Sequence, residues 1–141
     1  MSEKWHTVSI IVPTLDSEKT VKSCLGSIMG QDYPKDKLEV IIVDGGSRDN
    51  TLDVVTEYPV RVIIESRKGR GAAYNRGFQE AKGDYVAFLD SDAIVPVSWL
   101  SDAVQIIGQN SSTAAVHFRN VAPPDSSYFQ KCVDTLCARA S

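Results

Sequence analysis

Asp90-Ser91-Asp92 closes an apolar run, Tyr85 to Leu89, with two carboxylates one residue apart. At the end of a buried segment such a pair is costly unless a positive charge sits beside it. Three other turns follow apolar runs and carry chemically capable residues: Pro13-Thr14-Leu15-Asp16, Asp44-Gly45-Gly46, and Glu65 to Arg70 with its Arg67, Lys68 and Arg70. In an open parallel sheet ligands bind beyond the carboxyl ends of the strands, so these turns are expected to share one edge. Carboxylates there would grip a hard divalent cation through oxygen, and the cation would grip phosphate. Guanidinium and ammonium groups would take the remaining phosphate charge or a base edge.

Each of these residues also has an ordinary reading. Asp is frequent enough in this chain that about one D-x-D arises by chance, so position after a strand gives this one its weight. Asp44 has the place of a turn cap, and Asp49, Asp16 and Ser17 read as helix caps. Arg67, Lys68 and Arg70 fit a solvated loop equally well. His117 stands in an apolar strand and reads as structural, while Cys132 and Cys137 read as core residues of a last helix.

The elements that must position these turns alternate in rhythm. Val8 to Val12, Leu38 to Val43, Val60 to Ile64, Tyr85 to Leu89 and Ala114 to Phe118 are short β-branched or apolar runs, the signature of buried strands. Between them lie stretches with helical spacing: Val21, Cys24, Leu25 and Ile28; Leu52 and Val55; Ala72, Ala73, Arg76 and Ala81 after Gly69-Arg70-Gly71; and Trp99, Ala103, Ile106 and Ile107. Ser126 to Ala140 is expected to be a final amphipathic helix with Phe129, Cys132, Val133, Leu136 and Cys137 inward. The class is α/β with a mostly parallel sheet flanked by helices.

Bulk properties exclude several functions. At 141 residues, 43% hydrophobic and 23% charged, the chain fits one domain with a core. A net charge of −3 argues against a general nucleic-acid partner. No apolar run reaches a membrane span of about 20 residues. The first residues lack a signal-peptide layout, and three cysteines without a CxxC pair suit reduced thiols in the cytoplasm. The absence of GxxxxGK[ST] excludes a P-loop NTPase.

"VSIIVPTLDSEKTVKSCLGSIMGQDYPKDKLEVIIVDGGSRDNT" followed by "GRGAAYNRGFQEAKGDYVAFLDSDAIV" resembles the nucleotide-sugar-binding half of an inverting glycosyltransferase of the family 2 type, with the Rossmann-like GT-A fold. The resemblance runs from about Val8 to about Leu100. It implies that Pro13, Thr14 and Leu15 lie against nucleobase and ribose, with Leu15 where the family often has an aromatic. It implies that Asp44 accepts a hydrogen bond from the base, favouring uracil or guanine; Gly45 stands where a second Asp is usual. Arg70 would contact base or phosphate. Asp90 would face ribose or a metal-bound water and help hold the metal, Ser91 would belong to the same nucleotide-sugar contact, and Asp92 would ligate Mg²⁺ or Mn²⁺ directly. The implied partners are a UDP- or GDP-sugar donor and a saccharide or lipid-linked acceptor. The location would be cytoplasmic, at the inner membrane face if the acceptor is lipid-linked.

Inversion also needs a general base. After Asp92 only Asp102, Asp125 and Asp134 carry carboxylates; Asp125, after two prolines, is the weak candidate. The chain therefore reads as a donor-binding core over 1–122 with a C-terminal helix over 123–141, lacking the acceptor-side half. That helix's apolar face would be covered by a second copy of the chain. Two other functions stay open at this point. One is a nucleotide-sugar-binding module or incomplete fragment without turnover. The other, more remote, is a phosphatase of the haloacid dehalogenase type, because Phe88-Leu89-Asp90-Ser91-Asp92 resembles that family's nucleophile segment.

Overall fold

The computed structural model describes residues 5–109, and 115–118 and 134–138 as strands. In chain order the elements are β1 (Val8–Thr14), α1 (Val21–Met29), a 3-10 turn (Lys35–Lys37), β2 (Leu38–Asp44), α2 (Thr51–Val55), β3 (Arg61–Ile64), α3 (Arg70–Glu80), β4 (Tyr85–Phe88), α4 (Trp99–Gln109), β5 (Ala115–Phe118) and β6 (Asp134–Ala138). The sheet runs β3-β2-β1-β4-β6-β5. β1, β2, β3 and β4 are parallel; β6 pairs antiparallel with β4, and β5 antiparallel with β6.

β1 is central because both of its faces are buried. Val8, Ile10 and Val12 face one layer with Val40 and Ile42, under α1, α2 and α4 through Cys24, Leu25, Ile28, Val55, Trp99, Leu100 and Ala103. Ile11 faces the other layer with Ile41, Val43, Ile63 and Val86, covered by α3 through Ala73. Each fully buried aliphatic side chain contributes roughly 1.5–3 kcal/mol relative to exposure. α3 lies very close to β1: a Cβ on Gly77 would sit 2.4 Å from Ile11 Cγ2. Gly69, at φ 104°, turns the chain sharply into α3, a conformation most side chains avoid.

Register places the chemistry. Thr14 pairs with Asp44 and Asp44 with Ile64, so β1, β2 and β3 end level with one another. Ile11 pairs with Phe88, and Leu89 N–H continues the ladder to the Ile11 carbonyl at 3.0 Å. The turns after β1, β2, β3 and β4 thus lie along one edge.

The sequence reading is corrected at three places. Residues 134–138 are a strand rather than part of a helix, because β4 offers an open edge and Val86 pairs with Cys137 there. The expected dimer contact through a C-terminal helix loses its basis over that stretch, while 119–133, with Asp125, lie outside the described residues. Ile106 is exposed, and Leu100 takes its place on the inner face of α4. Neither Asp16 nor Ser17 caps α1; Thr20 holds the N-cap position and both earlier residues belong to the edge.

Candidate functional site

The end of β2 is a closed polar knot. Asp44 is fully buried. Its carboxylate accepts from Thr14 Oγ1 at 2.7 Å, Gly46 N–H at 2.9 Å, Ser47 N–H at 2.8 Å and Ser47 Oγ at 2.6 Å. Burial alone would push this carboxyl up, but the bonds from Ser47, Thr14 and Gly46 together outweigh it and hold it below the ordinary range. Ser47 Oγ in turn accepts from Asp16 N–H at 2.9 Å. Asp16 adopts a left-handed backbone, φ 48°, which Asp tolerates better than most residues. Its carboxylate accepts from Arg48 N–H at 2.7 Å. Ser17 N–H donates to Thr51 Oγ1 at 2.7 Å. The loops after β1 and β2 are latched into one unit.

The turn after β4 is built differently. Leu89 and Ala93 are buried and pin it, and Ala93 N–H donates to the Asp90 carbonyl at 3.0 Å. Asp90 is 6% exposed. Its Oδ1 accepts from the Tyr74 hydroxyl at 2.8 Å, and its Oδ2 lies 3.5 Å from Arg70 Nη1. Burial, and then the bond to Asp90, push the Tyr74 hydroxyl well up, so it stays a donor. Ser91 Oγ meets Ser17 Oγ at 3.1 Å, tying this turn to the loop after β1. Asp92 is exposed and has no hydrogen-bond or ion-pair partner among the described residues.

After β3 stands a second buried carboxylate, Glu65, 5% exposed. Its N–H donates to the Asp44 carbonyl at 2.9 Å, which sets it beside Gly45. Arg67 donates to it through its backbone N–H at 3.0 Å and Nε at 3.1 Å; Arg76 Nη1 lies 3.9 Å away. The bonds from Arg67 come first in holding the Glu65 carboxyl below its usual range. Arg67, Lys68 and Arg70 remain largely exposed.

These turns surround a cleft of about 840 Å³, a volume suited to a small ligand. Of the residues expected from sequence, Pro13, Thr14, Leu15, Arg70, Asp90, Ser91 and Asp92 all line it. Asp44 does not line it; its two oxygens accept from four internal donors at the cleft's rim. Gly45 lines the cleft in its stead and carries no carboxylate. From sequence Glu65 is placed at the edge only as a neighbour of the basic turn, Ser17 reads as a helix cap, and Tyr74 is not singled out, since it reads only as a helix residue.

Among the described residues no three acidic, His or Cys side chains gather to hold a metal. The donor set of the D-x-D turn nevertheless suits a hard cation. Asp92 offers an unpartnered carboxylate to the cleft and Asp90 keeps lone pairs beyond its two partners, so ligand phosphates and water would complete the shell.

The family profile described as Glycosyl transferase family 2 matches residues 9–135. Glycosyltransferase AglE of Haloferax volcanii is 34% identical over 106 residues, which is 71% of this chain and 35% of AglE. The Staphylococcus aureus poly(ribitol-phosphate) beta-N-acetylglucosaminyltransferase TarS is 36% identical over 110 residues, 74% of this chain and 19% of TarS. Among solved structures, the mannosyltransferase PcManGT from Pyrobaculum calidifontis in complex with GDP-Man and Mn²⁺ superposes with a TM-score of 0.83 at 28% identity, over 97% of this chain and 46% of that one. S. aureus TarS 1–349 in complex with UDP superposes with a TM-score of 0.73 at 33% identity, over 83% and 38%. The chain spans under half the length of each of these proteins. Its parallel strands and flanking helices are those of the GT-A fold.

Proposed function

The chain belongs to glycosyl transferase family 2, and from that premise we propose that its cleft binds the nucleoside diphosphate of a UDP- or GDP-sugar for inverting transfer to a saccharide or lipid-linked acceptor. That membership sets aside the phosphatase reading of Asp90 and Asp92. One observation carries the proposal. A single cleft at the carboxyl edge of a parallel sheet joins the unpartnered Asp92 carboxylate to the exposed cations Arg67, Lys68 and Arg70. Acid and base together in one groove, without mutual neutralisation of Asp92 or Lys68, suit a ligand that brings both phosphate and its counter-cation.

In this reading Pro13, Thr14 and Leu15 bed the nucleoside, and Leu15, 60% exposed, gives an apolar surface to the base. Uracil and guanine both present a ring N–H. With Asp44 occupied and Gly45 bare, Glu65 and Arg67 are the acceptor and donor beside that position. Arg70 and Lys68 meet the phosphates. Asp92, with Asp90 beside it, would hold Mg²⁺ or Mn²⁺. When bound, that ion supplies positive charge to the diphosphate as it leaves. The chain's own work is to fix the donor: the Asp44–Ser47–Asp16 latch holds the nucleoside wall, and the Ser17–Ser91 contact joins it to the D-x-D turn.

A second reading has an observation of its own. Asp16, Glu65 and Asp90 are all engaged, and Asp92 is assigned to the cation, so the described part of the cleft leaves no carboxylate for the general base. A donor-binding unit without turnover fits that equally. The cytoplasm remains the expected place of either activity; Cys24 is a buried thiol, and no helix among the described residues is long and apolar enough to cross a membrane.

Thermal melting tests the shared part. UDP or GDP with Mn²⁺ is expected to raise the melting temperature and EDTA to remove the gain. No shift with any nucleoside diphosphate would overturn both readings. Release of nucleoside diphosphate from a donor sugar on adding acceptor separates them: release supports the transferase, and binding without release supports the module.

A further inference from the structure

The D-x-D turn is clasped from the opposite face of the sheet. Arg70 and Tyr74 stand four residues apart on α3, hence on one face of that helix, and both reach the Asp90 carboxylate. Their grips differ. The Tyr74 hydroxyl donates to Oδ1 at 2.8 Å, while Arg70 Nη1 stands 3.5 Å from Oδ2 with its side chain 63% exposed. Tyr74's ring meets Phe88 edge-on, centroids 5.1 Å apart and planes at 89°. Phe88 is the last residue of β4, two residues before Asp90, so the ring and the carboxylate are referenced to one strand and the turn that leaves it. The backbone of α3 is fixed in turn by the tight Gly77–Ile11 approach.

We propose that Tyr74 is a positioning residue of the donor site, setting the Asp90 carboxylate so that its remaining lone pairs point into the cleft beside Asp92. This rests on the donor-site reading above. The physical reason is a division of labour. Arg70 is an exposed cation in the cleft and is drawn to a diphosphate when one arrives, which releases Oδ2. Tyr74 carries no charge to attract phosphate and none to compete with a divalent ion. It therefore keeps Oδ1 in place through the exchange. Without it, a buried carboxylate next to a second carboxylate would turn away from its neighbour, and the pair would meet the cation in several geometries instead of one.

The test is Tyr74→Phe, which keeps the ring on Phe88 and removes the hydroxyl. Calorimetric titration of UDP and GDP, each with and without Mn²⁺, gives the gain in affinity that the metal confers. The expected result is a fall of that gain by about tenfold, the size of a lost hydrogen bond to a charged group, with metal-free affinity changed less than about twofold. In an Asp90→Asn background the same substitution should lower the gain no further, since the two residues act through one bond. A parent-like gain in Tyr74→Phe would overturn the proposal. Equal losses with and without metal would also overturn it, by making Tyr74 a structural residue only. If the parent itself shows no metal-dependent gain, the donor-site reading falls first and this proposal with it.

Discussion

Asp44 and Asp92 stand at the carboxyl edge of the same sheet, at the end of β2 and just past β4, the two strands that flank β1. Both are aspartates following an apolar run. Asp44 is sealed from solvent and accepts four hydrogen bonds; Asp92 is exposed and accepts none among the described residues. The number of internal donors separates the two roles. A carboxylate whose lone pairs are filled by its own chain is part of the wall, whereas one left open is available to a ligand. The contrast also explains why the turn after β2 is rigid enough to build on. Its carboxylate organises Thr14, Ser47 and, through Ser47, the strained Asp16.

The comparison breaks most visibly under substitution at Asp44. Asp44→Ala leaves two backbone N–H groups and two hydroxyls without their acceptor. It should cost about 2–4 kcal/mol of stability, read as a lower urea midpoint with unchanged slope. A midpoint equal to the parent's would mean the knot holds nothing together. Asp92→Ala should do the reverse. The melting temperature without ligand should stay within about two degrees, because surface changes usually alter stability by no more than about 0.5 kcal/mol. Metal-dependent nucleotide binding should weaken at least about tenfold. Parent-like binding would remove Asp92 from the metal site.

Acid sharpens the contrast further. The Asp44 carboxyl is held below its ordinary 3.8, so the folded state binds its proton less readily than the unfolded state does. The stabilisation is present above 3.8 and is lost as pH falls through the folded value. Asp44→Asn should therefore be less stable than the parent near neutrality, and the gap between their urea midpoints should narrow below about pH 4. A constant gap would place the carboxylate's contribution elsewhere. The smallest effect belongs to Gly45→Ala. A Cβ there would meet Leu15 Cδ1 at an ordinary 3.6 Å, so stability should change by less than about 0.5 kcal/mol. A larger loss would show that the edge between Asp44 and the cleft is more tightly packed than these contacts indicate.

Much of this was legible in the residues. Val8–Thr14 and Leu38–Asp44 declare themselves as buried strands by unbroken apolar runs, and Gly69 marks the start of α3. Because ligand sites gather at strand ends, Pro13 to Leu15, Arg70 and the D-x-D turn could be placed on one rim without coordinates. What is not legible in the chain is non-local. Asp44's role depends on Thr14, 30 residues earlier and brought alongside by strand register. Nothing near Asp44 in the chain announces that partner. Residues 134–138 have an apolar spacing that suits a helix, yet the open edge of β4 recruits them as a strand. Tyr74 has no sequence signature at all, since its function is defined by where Asp90 arrives from another element. Periodicity reports an element's own faces; it is silent on which hydroxyl meets which carboxylate across a fold.

The most direct test of the central claim is the anomalous signal of Mn²⁺ in crystals of this chain soaked with UDP or GDP. The account predicts one peak about 2.0–2.5 Å from an Asp92 carboxylate oxygen, shared with a diphosphate oxygen, and no metal at Asp44. A nucleotide bound in the cleft with the peak away from Asp92, or a peak at Asp44, would contradict it.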